Sequence, residues 1–269
     1  MFQSLFQMNT LDTTTDQRRL NTNSLGAADA ESITFVHGIG GSLSNWVFHY
    51  SIFLMQSYKC IAYDLRGHGN SFYPKKGYRL MDHTEDLESI QVENSSKNKK
   101  IVAHSYGGNI ALKWAMKYGT KDDILIILDT PDLPVPSDTI HSFVHDIQAV
   151  LNKDFTPTSK FAVQLTESIL EKKSKINRPA QNYKKRLSQL SGTNFENEIV
   201  LDQPFTEKEL LKIAAKVVLI YAQKDDNIPY ASRLMAAIPT CQLFTLDADH
   251  QLVTTHSKEI VDFIKIVFK

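Results

Sequence analysis

Short apolar runs that alternate with segments of helical length constrain the fold of this chain more than any other feature. The first 30 residues are polar and predict at most one or two edge strands. The runs that follow are rich in β-branched and aromatic residues and lie at 33–36, 60–63, 101–103, 124–128, 217–221 and 243–246. Helical patterns at 82–90, 109–118 and 258–268 lie between or after them. This alternation predicts an α/β fold, in which helices cover both faces of a mostly parallel central sheet.

Residues 131–210 interrupt the alternation. They open with a proline-rich stretch at 131–136, which cannot continue a helix or a central strand. Helical patterns then follow at 140–151, 161–170, 183–190 and 206–213, the last opened by a Thr206-x-x-Glu209 capping box. The sequence therefore predicts a core domain of residues 1–130 and 211–269, with a helical cap inserted at 131–210.

Composition excludes several classes of partner. The chain has 30 basic and 30 acidic residues among 269, so it lacks the charge expected for binding nucleic acid or an anionic membrane. Its two cysteines lie far apart and form no metal-binding motif, which favours a reducing compartment. Neither a cationic leader nor an apolar stretch of membrane-spanning length is present in the sequence. We therefore expect a cytoplasmic protein that acts on a small molecule, and the sequence leaves its oligomeric state open.

Ser105 stands where an apolar run meets a tight turn and then a helical pattern, in the segment 101–108. A strand that reverses directly into a helix forces its turn residue to a positive φ and exposes that side chain. The residues two before and two after must be small because the two backbones approach closely. Ala103 and Gly107 meet this requirement, although Ala103 replaces the first glycine of the usual G-x-S-x-G pattern. Ser105 is therefore the predicted nucleophile.

A serine hydroxyl needs a histidine to take its proton and an acid to orient that histidine. Asp225 follows one predicted strand and His250 follows the next, so both belong to the carboxyl edge of the sheet. The chain order Ser105, Asp225, His250 is the one expected for a nucleophile-elbow enzyme. Asp226 and Asp249 stand beside these two residues, and the sequence leaves open whether either assists His250. We expect Asp225→Ala to abolish most activity and alanine at Asp226 or Asp249 to leave it largely intact.

A glycine-rich turn, His37-Gly38-Ile39-Gly40-Gly41, follows the first apolar run. Its backbone N–H groups can point inward and stabilise an oxyanion, with the N–H of Tyr106 as a second donor. Leu43 occupies the third glycine position of a dinucleotide fingerprint, so no nucleotide cofactor is expected.

His141 and His145 lie four residues apart on a predicted helix, a spacing that suits a metal ion. The apolar stripe of that helix, which includes Phe143 and Val144, points to its other side. The two histidines are therefore expected to face solvent, and no metal site is expected.

Four segments together resemble the capped esterases and related hydrolases of the α/β-hydrolase fold superfamily. They are residues 37–41 with Asn45-Trp46, residues 64–71, the Ser105 elbow, and Asp225-x-x-x-Pro229 followed by Asp249-His250. The resemblance implies Ser105 as nucleophile, Asp225 as acid and His250 as base, with the N–H groups of Ile39 and Tyr106 as the oxyanion hole. It also implies that Gly38 and Gly40 contact the bound substrate, and that residues 64–71 form a structural turn without a chemical role.

A serine nucleophile implies acyl transfer to water, and the resemblance favours a carboxylic ester hydrolase with an acyl-serine intermediate. The sequence does not separate this reaction from thioester hydrolysis or from serine-dependent carbon–carbon bond hydrolysis. A different class also stays open, in which the fold serves as a ligand receptor with little turnover.

Overall fold

The structure is a computed structural model that describes residues 19–94, 97–146 and 178–269. Within these ranges the chain forms a seven-stranded sheet of order β1-β3-β2-β4-β5-β6-β7. The strands are β1 (Thr22–Leu25), β2 (Ser32–Val36), β3 (Lys59–Tyr63), β4 (Lys100–His104), β5 (Ile124–Leu128), β6 (Lys216–Ala222) and β7 (Cys241–Leu246). Only β1 runs antiparallel to its neighbour, β3, while the other pairs are parallel. The predicted mostly parallel sheet is confirmed.

The helices of the described residues alternate with these strands. They are α1 (Leu43–Trp46), α2 (Ile52–Leu54), α3 (Leu80–Glu93), α4 (Tyr106–Lys117), α5 (Ser137–His141), α6 (Arg178–Ser191), α7 (Phe195–Ile199), α8 (Glu207–Leu210), α9 (Ile228–Ala237), α10 (Leu252–Thr255) and α11 (Ser257–Val267). A π-helical turn joins α1 to α2, and a second one, Ser142–Asp146, extends α5. The predicted helix at 161–170 lies outside the described residues.

Both faces of the sheet are covered because side chains alternate along each buried strand. On β4, Ile101 and Ala103 pack into one apolar cluster with Ile110 of α4. Val102, between them, packs into a second cluster with Trp46 of α1 and Ile264 of α11. The expected helices on both faces are therefore present, and the carboxyl ends of β4, β5 and β6 lie side by side.

The chain between β5 and β6 contributes α5 to α8, and two carboxylates in and just after α7 anchor it to the core. The Oε2 atom of Glu198 accepts the N–H groups of Gly77 and Tyr78 at 2.6 and 2.7 Å. Asp202 accepts the N–H of Leu80 at 2.7 Å and pairs with Arg79 at 2.9 Å. These bonds fix the end of the insertion to the residues that lead into α3.

Two local predictions for the insertion are met within the described residues. Phe143 and Val144 are buried, and Thr206 forms the expected capping box with Glu209 at the start of α8. Of the helices that the structure describes, none combines the length and apolar character needed to cross a bilayer.

Candidate active site

Ser105 occupies the predicted turn between β4 and α4, with φ 55° and ψ −132°. This positive φ confirms the strained elbow expected from the sequence. A side chain at Gly107 would place its Cβ 2.6 Å from the carbonyl oxygens of Val36 and His37. A Cβ at Gly38 would lie 2.7 Å from that of Ser105. Glycine at both positions lets the loop after β2 approach the nucleophile.

His250 lies beside Ser105, as its place after β7 predicts. Its Nε2 atom is 3.0 Å from the Oγ atom of Ser105. On the other side of the ring, Nδ1 is 2.6 Å from Oδ2 of Asp129 and 3.3 Å from Oδ2 of Asp225. Because carboxylates face Nδ1, that nitrogen carries the proton, which leaves Nε2 to accept the serine hydroxyl.

Asp129 is a neighbour of His250 that the sequence analysis did not select. It follows β5 directly, with φ 44°, and its side chain is fully buried. Oδ1 accepts the N–H of Ala222 at 3.1 Å, and the side-chain amide of Asn227 lies 3.3 Å from Oδ2. An aspartate at the end of an apolar run was the available signal, the same one that pointed to Asp225.

Asp225 also reaches His250, as predicted, but its surroundings differ. Its side chain keeps 18% of its exposure, and its Oδ1 accepts the N–H of Asp226 at 2.7 Å. Asp226 and Asp249 are exposed. The carboxylate of Asp249 accepts the N–H of Gln251 at 2.9 Å and so caps its own turn.

The two carboxylates set the charge state of His250. Burial disfavours the imidazolium, but the hydrogen bonds and negative charges of Asp129 and Asp225 outweigh it and raise the pKa of His250 to about 9. The hydrogen bond with His250 in turn lowers the pKa of Asp225 to about 2. The site therefore stabilises the imidazolium that forms when the histidine takes a proton from serine.

His104 is a second neighbour that the sequence analysis passed over. Its Nε2 atom lies 2.9 Å from the carbonyl oxygen of His250, and the two rings are 4.8 Å apart. Since a carbonyl only accepts, His104 donates this hydrogen bond. Burial lowers the pKa of His104 to about 3, so the ring stays neutral while it holds the His250 backbone. Its position directly before Ser105 was the only sequence signal.

Two buried histidines shape the glycine-rich loop after β2. Leu65 donates its N–H to Nε2 of His37 at 3.0 Å, so Nδ1 of His37 carries the proton donated to the Gly38 carbonyl at 2.7 Å. Gly40 donates its N–H to Nε2 of His68 at 3.1 Å. Residues 64–71, taken from the sequence as a structural turn, thus support this loop through His68.

This bonding pattern bears on the two N–H groups predicted to form the oxyanion hole, those of Ile39 and Tyr106. The Gly38 carbonyl also accepts the Gly41 N–H at 3.0 Å, and in a planar trans peptide the N–H of Ile39 points the opposite way. Tyr106 begins α4, where an N–H has no partner within the helix. Among the described residues, neither the Ile39 nor the Tyr106 N–H has a hydrogen-bond acceptor.

A cavity lies between the glycine-rich loop, the 64–71 turn and the insertion. Its walls are Gly40, Gly41, Ser42, Gly67, His68, Gly69, Tyr73, Phe143, Arg186, Leu187 and Leu190. Gly40, predicted from the sequence to bind substrate, lines this cavity, while Gly38 lies against Ser105 instead. Arg186 is the charged residue of this wall, and its guanidinium donates to the side-chain oxygen of Asn70 at 2.8 Å. Within the part of the chain that the structure describes, no carboxylate lies within 4.0 Å of that guanidinium.

Comparison with known proteins identifies relatives of this chain. The family model of the alpha/beta hydrolase fold matches residues 31–250. Protein ABHD8 of Mus musculus is 32% identical over 99 residues, which span 36% of this chain and only 23% of that protein.

Two solved structures resemble the whole chain. A carboxylesterase of Nitrososphaera gargenis superposes with a TM-score of 0.70 at 20% identity, over 95% of this chain and 97% of that chain. The enol-lactonase of Burkholderia xenovorans LB400 also gives a TM-score of 0.70 at 20% identity, over 91% of this chain and 96% of that chain. At these identities the likeness establishes the fold.

Proposed function

Since this chain belongs to the alpha/beta hydrolase fold family, we propose that it is a serine hydrolase that cleaves a carboxylic ester through an acyl-serine intermediate. One observation carries the proposal. The ring of His250 lies 3.0 Å from the Ser105 hydroxyl on one side and 2.6 Å from the Asp129 carboxylate on the other. A strained serine with that neighbour meets the requirements of a nucleophile and its base.

The proposed reaction has two steps. His250 takes the hydroxyl proton as Ser105 attacks the ester carbonyl, and the N–H groups of Ile39 and Tyr106 stabilise the oxyanion. The alcohol leaves with the proton from His250, which leaves an acyl-serine. Water then attacks this ester with His250 as base and releases the acid. Asp129 and Asp225 together orient His250 and stabilise its charged form.

The cavity beside the loop supports an inference about the acyl group. Leu187 and Leu190 give it an apolar wall, while Arg186 brings a positive charge whose described partner is a neutral amide. A guanidinium of this kind favours a carboxylate on the ligand. We therefore expect esters with an acyl chain that ends in a carboxylate to be preferred over neutral esters of equal length.

A fluorophosphonate probe tests the nucleophile. Covalent labelling of the wild-type protein, its loss in Ser105→Ala and its retention in Ser188→Ala are expected, because Ser188 lies exposed on α6. A folded wild-type protein that takes no label would overturn the proposal and favour a ligand receptor with the hydrolase fold.

Turnover assays test the substrate. p-Nitrophenyl pentanoate and the p-nitrophenyl monoester of glutaric acid both have acyl chains of five carbons. In Arg186→Gln, the KM should rise above that of the wild type for the anionic ester alone. Equal KM changes for both esters would contradict the role of Arg186. Faster cleavage of acyl thioesters than of matched esters would make the protein a thioesterase, with the same acyl-serine chemistry.

A further inference from the structure

A second cluster of ligating side chains lies in the insertion, on the surface and apart from the triad. His141 ends α5, His145 lies in the π-helical turn that follows, and Glu196 lies in the first turn of α7. The Nε2 atom of His145 is 2.6 Å from Oε1 of Glu196. The Nδ1 atom of His141 is 3.8 Å from Oε2 of the same carboxylate.

The three groups converge because two helices face each other. His141 and His145 are four residues apart, so their rings lie on one side of the helix, 4.6 Å from each other. One ligand atom from each of the three residues lies within 4.8 Å of the others. Two ligands of one zinc ion lie about 3.4 Å apart, since each is roughly 2.1 Å from the metal at a tetrahedral angle. The rings of His141 and His145 are exposed and Glu196 is half-buried, so rotation of the two rings would bring the three ligand atoms to this spacing.

We propose that His141, His145 and Glu196 form a binding site for a late first-row divalent metal ion, with Zn²⁺ as its reference ligand. Two imidazoles and one carboxylate are the donor set that zinc, copper and nickel ions prefer, whereas magnesium and calcium prefer oxygen ligands alone. Water completes the coordination, as is usual where a protein supplies three ligands. The solvent-facing position predicted from the sequence is correct, but Glu196 supplies the third ligand that the sequence did not reveal.

The hydrogen bond between His145 and Glu196 does not by itself account for the cluster. His141 turns its Nδ1 toward the second oxygen of the same carboxylate, at a distance too long for a strong hydrogen bond. The two rings lie 4.6 Å apart, and the carboxylate reaches only that of His145 at hydrogen-bond distance. One cation held between neutral rings and the carboxylate gives all three groups a partner.

Competing sites are few among the residues that the structure describes. All nine histidines and both cysteines lie in the described residues. Apart from the proposed site, the group of this kind that the described residues form is Asp129, Asp225 and His250. The two sites are therefore separable by mutation.

Metal binding would join the two ends of the insertion. Glu196 lies on α7, and Glu198 of the same helix holds the backbone of Gly77 and Tyr78 in the core. An ion at the site would tie the segment 137–146 to this anchored helix. Zn²⁺ at 100 times its Kd should therefore raise Tm by about 5 °C or more.

Calorimetric titration of Zn²⁺ into the full-length His250→Ala protein tests the site without the triad cluster. One ion per chain is expected. Adding Glu196→Gln, His141→Ala or His145→Ala should weaken binding by about tenfold or more, because loss of an outer-shell partner alone costs that much. His256→Ala serves as the matched control and should bind normally.

The same variants carry a second readout, the rise in Tm caused by Zn²⁺, which at the same Zn²⁺ concentration should fall to about half or less in Glu196→Gln. Absence of saturable binding to the His250→Ala protein overturns the proposal. Unchanged affinity in the three insertion variants, each shown to be folded by circular dichroism, overturns it as well. The result is independent of ester hydrolysis, which the fluorophosphonate label reports separately.

Discussion

The loops that follow β5 and β6 each bring one carboxylate to Nδ1 of His250, and their surroundings differ. Asp129 is fully buried, lies 2.6 Å from Nδ1 and accepts a backbone N–H from Ala222. Asp225 lies 3.3 Å away with 18% of its side chain exposed, and it shares its charge with the N–H of Asp226. The first loop is held rigidly by its neighbours, whereas the second belongs to a solvent-facing turn.

The two carboxylates therefore differ in the strength of their hydrogen bonds to His250 and in their exposure to solvent. A short charge-assisted bond in a buried environment is stronger than a longer bond near solvent. A carboxylate near solvent is ionised at a smaller desolvation cost. We infer that Asp129 is the main group that orients the ring of His250, and that the negative charge of Asp225 further stabilises the imidazolium.

The double substitution Asp129→Asn/Asp225→Asn should have the largest effect. With no carboxylate at Nδ1, the ring of His250 loses its preference for one tautomer. The imidazolium also loses the negative charge that stabilises it. We expect kcat/KM to fall by about 10⁴-fold, as in triads that lose their only acid. Steady-state assays on a p-nitrophenyl ester measure it. A loss no greater than that of either single variant would show that the two carboxylates do not substitute for each other.

The single substitutions should show which of the two carboxylates contributes more to kcat/KM. Asp129→Asn should lower kcat/KM by about 10²- to 10³-fold and Asp225→Asn by about ten- to a hundredfold, since one acid remains in each case. The ratio between them is the quantity to measure, with thermal melts to show that Asp129→Asn still folds. A larger loss from Asp225→Asn would favour Asp225 as the main acid, as predicted from the sequence.

The pH profile should respond to the more exposed carboxylate. His250 acts as base only when neutral, so kcat/KM should rise with pH through its pKa of about 9 and level off above it. Removing the charge of Asp225 disfavours the imidazolium, so the rising limb of Asp225→Asn should move to lower pH by about one unit. A limb that stays in place or moves to higher pH would contradict the proposed electrostatic role.

The flanking aspartates should have the smallest effect. Asp226→Asn and Asp249→Asn should change kcat/KM by less than about threefold, because both side chains are exposed and Asp249 bonds within its own turn. They are matched controls for the two acid loops. A loss comparable to that of Asp225→Asn would extend the charge network beyond the two loops.

Much of the fold was predictable because it depends on local patterns. The run 124–128 matches β5 exactly in its bounds, since a buried parallel strand reads as an unbroken apolar segment. The positive φ of Ser105 followed from the steric demands of a strand that turns directly into a helix. Both predictions need only a few neighbouring residues.

The site was predicted less completely because its members meet only in three dimensions. Asp129 and Asp225 follow adjacent strands. The sequence does not show which carboxylate lies closer to the ring of His250, which stands 25 or more residues later in the chain. The same holds for Glu196, which joins His141 across two helices. The predicted cap boundaries at 131–210 depend on helices of which only part is described, so they stay a prediction.

The buried histidines around Ser105 divide into one that titrates in the working range and others that do not. Burial lowers the pKa of His68 and of His104 to about 3, and that of His37 falls as well, while His250 alone has a raised pKa. The rings of His68 and His104, which hold the glycine-rich loop and the backbone of His250, thus stay neutral from mildly acidic to alkaline solution. A single ionisation should therefore govern the approach to full activity, and the imidazole resonances of the site should show one moving signal against a fixed background.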